Sequence, residues 1–182
     1  MSKRAIIVVD LQNDYFASGK LPLVGIDAAS ANAARVIAAA RASGDPVIHI
    51  RHEFTQPDAP FFVAGSDGAQ IHAAVRPAEG EAVIVKNYPN SFRDTALKQA
   101  LDVKAVEDVV IIGAMSHMCI DATARAAADF GYKATVVHDA CATRDLAFGG
   151  VNVPAAQVHA AFMAALRSSY GTLASTADYL SR

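Results

Sequence analysis

Residues 108–141 read DVVIIGAMSHMCIDATARAAADFGYKATVVHDAC. The run Asp108–Ile112 is β-branched and nearly continuous, the pattern of a strand covered on both faces. It runs into Gly113-Ala-Met-Ser-His-Met, a turn that delivers Cys119 to the start of a helix. That helix is rich in small residues, reaches Phe130 and stops at Gly131. Lys133–His138 (KATVVH) then reads as another strand. Strand, helix and strand in immediate succession argue an α/β domain with a parallel sheet.

The same alternation extends in both directions. Arg4–Val9 (RAIIVV), Pro46–Arg51 (PVIHIR) and Ala82–Lys86 (AVIVK) read as the first three strands. Asp27 is placed to cap a helix through Ser43, with Gly44 as its left-handed stop. Asp94 is placed to cap a short helix through Leu101, and a further short helix fits Ala69–Val75. Pro154 opens a long helix to about Ser168, and Thr172–Ser175 suits a short edge strand. His52 to Gly80 is the longest irregular stretch, and loops of that length in a compact domain are usually functional. There is no repeat, low-complexity tract or linker, so residues 1–182 read as one unit.

Composition narrows the function classes. Of 182 residues, 53% are hydrophobic, enough for a sizeable core. Sixteen Lys+Arg against eighteen Asp+Glu leave a formal charge of -2, with no run of either sign. That balance disfavours an electrostatic nucleic-acid binder and a membrane-surface protein. The apolar run Ala5–Val9 is cut short by Asp10, too brief for a signal-peptide core or a membrane span. Two cysteines, Cys119 and Cys141, make no disulfide framework and no metal knuckle, so a reducing cytosol is the simplest home. The chain has no G-x-x-x-x-G-K-[ST] loop and no G-x-G-x-x-G, leaving nucleotide use without support.

In open parallel sheets, ligands bind beyond the carboxyl ends of strands, where the strand order reverses. Asp10 ends the first strand, Lys86 the third, and Cys119 lies just past the fourth; His52 follows the second and Asp139 the fifth. With an order 3-2-1-4-5, Asp10 and Cys119 face each other across the switch point and Lys86 has the reach to join them. A thiol at a helix N-terminus feels the positive end of the helix dipole, and a nearby ammonium and carboxylate complete a nucleophile, an electrostatic partner and a base. Each residue has a plain alternative. A lone cysteine is commonly a small buried hydrophobe, Asp10 could cap a turn through Asn13, and a strand-end lysine often reaches to solvent. The specific signal is the coincidence of the three on one sheet edge. His49 reads as a satisfied core histidine and Cys141 as structural. His52, Glu53 and His72 form the only candidate metal set, without a recognised ligand spacing.

These residues carry a resemblance. AIIVVDLQNDYF with Asp10, GEAVIVKNYPNSF with Lys86, and VVIIGAMSHMCIDATARAAADFGYKATVVHDAC with Cys119 resemble the isochorismatase-like cysteine hydrolases over nearly the whole chain. The GAMSHMC form is similar to the branch that contains streptothricin hydrolase. The resemblance implies a three-layer α/β/α sandwich on a six-stranded, mainly parallel sheet of order 3-2-1-4-5-6. It implies an Asp10–Lys86–Cys119 triad and a non-proline cis peptide at Ala114–Met115 that turns the Met115 and Cys119 N–H groups inward as an oxyanion hole. Family members that bind a metal beside the pocket carry an Asp-x-His motif after the second strand. Here that place reads HIRHEFTQPDAPFF, which points away from a metal and from nicotinamide as substrate; no cofactor is expected. The presence of Cys119 argues for acyl transfer rather than vinyl-ether hydrolysis.

The expected activity is therefore cysteine-dependent hydrolysis of a small-molecule, non-peptide amide through a thioester. Phe16, His52, Phe61, Phe62, Asn90, Phe92 and His117 are the expected pocket walls, mostly aromatic and without a charge cluster, which suits a small neutral substrate. The resemblance also favours a homo-oligomer, dimer or tetramer. The alternatives are a metal-assisted hydrolase using His52, Glu53 and His72, and a non-catalytic binding or redox module with Cys119 as sensor.

Overall fold

A computed structural model describes residues 4–181. Its elements in chain order are β1 (Arg4–Val9), α1 (Ile26–Ser43), β2 (Val47–His52), β3 (Ala82–Lys86), α2 (Leu97–Val103), β4 (Asp108–Ala114), α3 (Asp121–Asp129), β5 (Lys133–Ala142), β6 (Leu146–Phe148), β7 (Val151–Val153), α4 (Ala155–Ser169), β8 (Thr172–Ala174) and α5 (Thr176–Leu180). Six strands form one sheet in the order β3-β2-β1-β4-β5-β8, every neighbouring pair parallel. The sixth position is filled by the segment expected as an edge strand. β6 and β7 stand apart as an antiparallel hairpin.

The burial pattern explains the order. β1 and β4 are almost wholly buried and lie side by side at the centre. Side chains alternate between two cores. Ile6, Val8, Val110 and Ile112 face Val36 and Ile37 of α1. Ala5, Ile7, Val9, Val109 and Ile111 face Leu97 and Leu101 of α2, Ala124 and Ala127 of α3, and Met163 and Leu166 of α4. With α5 packed beside α1, the result is a three-layer α/β/α arrangement. β3 departs from the expectation of strands buried on both faces, because as an edge strand it leaves Val83 and Val85 about 40% exposed. No helix among the described residues is long and apolar enough to cross a membrane.

Several local expectations are corrected. α1 begins at Ile26 behind Gly25, which adopts φ 73°, so Asp27 sits in the first turn and does not cap. Asp94 is itself left-handed (φ 54°), and the hydroxyl of Thr95 receives the Leu97 N–H of α2 instead. The stretch 69–75 is two separate single turns, Asp67–Ala69 and Ala73–Val75, rather than one helix. β5 continues past His138 to Ala142 through a register shift opposite β4. The hairpin of β6 and β7 turns on Gly149-Gly150, both at positive φ, a two-residue hairpin signal that was readable in the sequence.

One partly buried carboxylate ties α1 to the sheet. Glu81, just before β3, accepts two bonds from Arg41 of α1 (2.7 and 2.8 Å), one from the Ala78 N–H (2.8 Å), and faces His49 Nε2 of β2 at 3.0 Å. His49 is thus a core histidine held through Nε2, but it is not the fully satisfied one expected, because its buried Nδ1 has no hydrogen-bond partner. The Arg41 bonds hold the Glu81 carboxyl well below its usual range, at about 2. A depressed folded pKa contributes stability that is complete above the unfolded value and lost as pH falls through the folded one. Glu81→Gln is therefore expected to cost about 2 kcal/mol in urea unfolding at neutral pH. The difference from the native chain should close as pH falls from 4.5 towards 2. An unchanged midpoint at pH 7 would contradict this role.

Candidate active site

The site lies at the carboxyl ends of β1, β2, β3 and β4, where the chain order reverses. β1 and β4 meet there so closely that Gly113, paired with Val9, has no room for a side chain. A β-carbon would run into the Val9 carbonyl oxygen, and its φ of 126° suits only glycine. Beyond Val9 the chain turns left-handed at Asp10 (φ 52°), a conformation that aspartate tolerates better than most residues. The Asp10 N–H donates to Ile50 O of β2 at 3.1 Å. Lys86 ends β3 in register with His52 at the end of β2. After β4, the Ala114–Met115 peptide is cis, and Ser116–Ile120 form a π-type turn before α3 begins. Cys119 therefore sits in a π turn rather than in the first turn of an α-helix, a distortion frequent at functional sites.

These elements bring the three expected residues together. Lys86 Nζ lies 2.8 Å from Asp10 Oδ2 and 3.1 Å from Cys119 Sγ. It also lies 3.1 Å from the Tyr88 carbonyl oxygen and 3.0 Å from His52 Nδ1. Asp10 is 0% exposed, Lys86 1%, Cys119 3% and His52 5%. Lys86 does not reach to solvent; its ammonium is the hub of a buried polar cluster.

Burial sets the charge states against one another. For Asp10, burial pushes the carboxyl up, but the Lys86 charge beside it brings it below its usual value. For Lys86, burial pulls down, while the charges of Asp10 and Cys119 carry it above the usual lysine range. For Cys119, burial and the Asp10 charge drive the thiol strongly upward, and Lys86 opposes them only in part. The resting cluster is therefore carboxylate, ammonium and thiol. The pre-formed thiolate suggested by a helix N-terminus is not favoured here.

The expected pocket residues divide. His52 touches the triad. Phe61 is half-buried within an aromatic group with Tyr15, Phe54 and Phe62. Phe62 is fully buried, donates its N–H to Asp14 Oδ2 (2.7 Å) and backs the site from 6.1 Å behind His52. Phe16 stacks on His72 with ring centroids 3.5 Å apart. Asn90 accepts the Phe92 N–H (2.9 Å), and the Phe92 ring packs on Phe130 and Tyr132 in the α2–α3 layer. His117 pairs with Thr143 Oγ1 through Nδ1 (2.6 Å) and lies edge-on to Phe162, so its ring is engaged by the residue after β5 and by α4. Asp139 takes the Thr176 N–H and hydroxyl at 2.7 Å each and pins the start of α5. Cys141 is buried, with its thiol directed at Val137 O.

Three contributors were missed at the sequence level. The Tyr88 carbonyl binds Lys86, Phe54 lies against His52 at 4.7 Å, and Gln12 grips the His52 backbone. Only Gln12 left a trace, as a polar side chain two residues beyond Asp10 in a stretch that becomes fully buried.

The metal set of His52, Glu53 and His72 is not assembled. Glu53 is paired with Arg51 (2.8 Å), and His72 accepts the Ala74 N–H while stacked on Phe16. Among the described residues, the ligating groups that do converge are Asp10, His52 and Cys119, and an ammonium already lies within 3.1 Å of all three. This donor set does not fit a metal beside the pocket.

Residues 4–178 match the Isochorismatase domain, and the chain belongs to the isochorismatase family of hydrolases. Over 97% of its length it is 47% identical to the uncharacterized isochorismatase family protein YddQ of Bacillus subtilis, covering 98% of that protein. It is 32% identical to a streptothricin hydrolase of Streptomyces noursei over 79% of this chain and 51% of that one. It is 31% identical to maleamate amidohydrolase of Pseudomonas putida over 78% and 73%. The crystal structure of a putative isochorismatase hydrolase from Oleispira antarctica superposes with a TM-score of 0.96 at 54% identity, covering 100% of this chain and 97% of that one.

Proposed function

We propose that this protein hydrolyses a small-molecule, non-peptide amide with Cys119 as nucleophile. The observation that carries the reading is the buried Lys86 ammonium lying between Asp10 (2.8 Å) and Cys119 (3.1 Å), in a chain whose relatives include a named amidohydrolase. Asp10, ionised at rest, takes the Cys119 proton as the sulfur attacks the amide carbon and the C–S bond forms. The Met115 and Cys119 N–H groups receive the oxyanion, each such donor being worth about 3–4 kcal/mol. Asp10 returns the proton to the departing nitrogen as the C–N bond breaks, leaving a thioester. Water, losing a proton to Asp10, then attacks; the C–S bond breaks and the thiol is restored. General acid–base work of this kind contributes roughly 10²–10⁴-fold.

The substrate is small, and the aromatic rings of Phe54 and Phe62 beside His52 suit its apolar part. Two unbridged thiols suit a reducing cytosol. Phe148 at the hairpin tip, 90% exposed, suits a homo-oligomer of two or four chains. The experiment that tests the activity is intact-mass analysis of the protein after exposure to a library of small amides. The expected result is a transient acyl adduct that maps to Cys119. Turnover with an adduct on any other residue would reject the assignment.

A further inference from the structure

The turn that carries Cys119 is tied down from outside by its own side chains. Within it, Met115 O accepts the Met118 and Ile120 N–H groups at 3.0 and 3.2 Å. His117 reaches out to Thr143, the residue after β5. Ser116 makes the other ties. It is 0% exposed, and its hydroxyl lies 3.3 Å from Ala142 O at the end of β5 and 2.8 Å from Nδ1 of His159 on α4.

The proton count assigns the donor. Ser116 has one hydroxyl proton, and a carbonyl such as Ala142 O can only accept. With that proton directed at Ala142 O, the shorter bond is made by His159 Nδ1–H donating to Ser116 Oγ. The buried hydroxyl is then used both as donor and as acceptor.

A buried hydroxyl costs desolvation unless it is bonded, and a small apolar residue at this position would avoid that cost altogether. What the serine adds is a link from the turn to a helix. That helix is a firm anchor: Asp145 Oδ1 accepts the Ala155 N–H at the start of α4 (2.8 Å), and Met163 and Leu166 pack into the core. Ser116 also stands at a sensitive place, directly after Met115 and three residues before Cys119, whose two N–H groups are the proposed oxyanion donors.

We propose that His159 is a positioning residue of the hydrolytic machinery. Acting through Ser116, it fixes the turn from Met115 to Cys119 so that both N–H groups are aimed where the oxyanion develops. It does not act on the sulfur itself. The inference rests on the proposed attack by Cys119 and on the proposed oxyanion donors.

The test separates oxyanion binding from thiol reactivity. Cys119 is probed in two ways in the native chain, His159→Leu and His159→Asn. Iodoacetamide alkylates the sulfur without forming an oxyanion. Butyraldehyde instead adds the thiol across its carbonyl: the C–S bond forms, the thiol proton ends on the carbonyl oxygen, and the adduct shields the sulfur from iodoacetamide. Leucine offers no donor to Ser116, so the butyraldehyde needed for half-protection should rise roughly tenfold, and kcat for any amide the native chain turns over should fall roughly ten- to hundredfold at nearly unchanged KM. Labelling by iodoacetamide alone should stay within about twofold, because no oxyanion forms in that reaction. Asparagine can present an N–H near the Nδ1 position and should restore both protection and kcat. Unchanged protection and kcat in His159→Leu, an asparagine variant that behaves like leucine, or a parallel loss of iodoacetamide labelling overturns the proposal. His159 is half-buried, which favours survival of the fold; if the leucine variant does not fold, Ser116→Ala removes the same bond from the other side and is read by the same criteria. A native chain that neither gains the acyl adduct nor is protected by butyraldehyde would instead reject the underlying activity.

Discussion

Cys119→Ala is expected to lower hydrolysis of any amide the native chain turns over by a factor on the order of 10⁴ or more, as removal of a covalent nucleophile does elsewhere. The fold should survive. The substitution removes one sulfur from a well-packed site, a loss of about 1 kcal/mol. It also leaves Lys86 ion-paired with Asp10 and hydrogen-bonded to Tyr88 O and His52. No buried charge is stranded, so the usual penalty for breaking a buried ion pair does not arise. The check pairs an assay for released amine or ammonia with a thermal melt. A variant that keeps its native rate would show that the sulfur does not form the acyl-enzyme. A variant that loses rate and unfolds together would show that Cys119 is chiefly structural.

Lys86→Met should reduce kcat/KM by roughly 10²–10⁴-fold, the range of an impaired general base. The reason is indirect. Burial alone drives the Asp10 carboxyl upward, and the Lys86 charge is the main force bringing it down. Without that charge the folded pKa of Asp10 rises, the carboxylate is protonated at higher pH, and the proton of Cys119 has nowhere to go. The acid limb of the pH–rate profile should therefore move to higher pH. Raising the pH should recover part of the lost rate, because it restores the carboxylate. An acid limb that stays in place would remove Lys86 from control of Asp10, even if the rate falls. Folding is at risk as well, since the change strands a fully buried carboxylate, a loss of several kcal/mol. Urea unfolding of the variant at low pH, where Asp10 is neutral, separates that loss from the catalytic one.

The parallel α/β architecture was legible because strands covered on both faces leave continuous β-branched runs. β1, β2, β3 and β4 were all found within a residue or two of their ends. The boundaries that slipped were those decided by backbone geometry. Asp27 and Asp94 are sound capping residues by type, but a left-handed Gly25 and a left-handed Asp94 took those helix starts elsewhere. β5 ran on to Ala142 because a register shift let it keep pairing with β4, and no local preference encodes a register shift. Asp10, Lys86 and Cys119 were identifiable for a simpler reason: Asp10 and Lys86 directly end apolar runs, and Cys119 follows the fourth such run across one short turn.

Sequence by itself determined which reactive groups stand at the strand ends, since that depends only on the order and periodicity of residues along the chain. Tertiary structure alone decided which of them touch, that burial pushes the Cys119 thiol upward, and that His52 shares the Lys86 ammonium while Phe92 and His117 are occupied elsewhere. The physical reason is range. Hydrogen bonds and charge states inside a low-dielectric cluster depend on separations of a few ångströms between residues far apart in the chain, and only the packed sheet sets those separations.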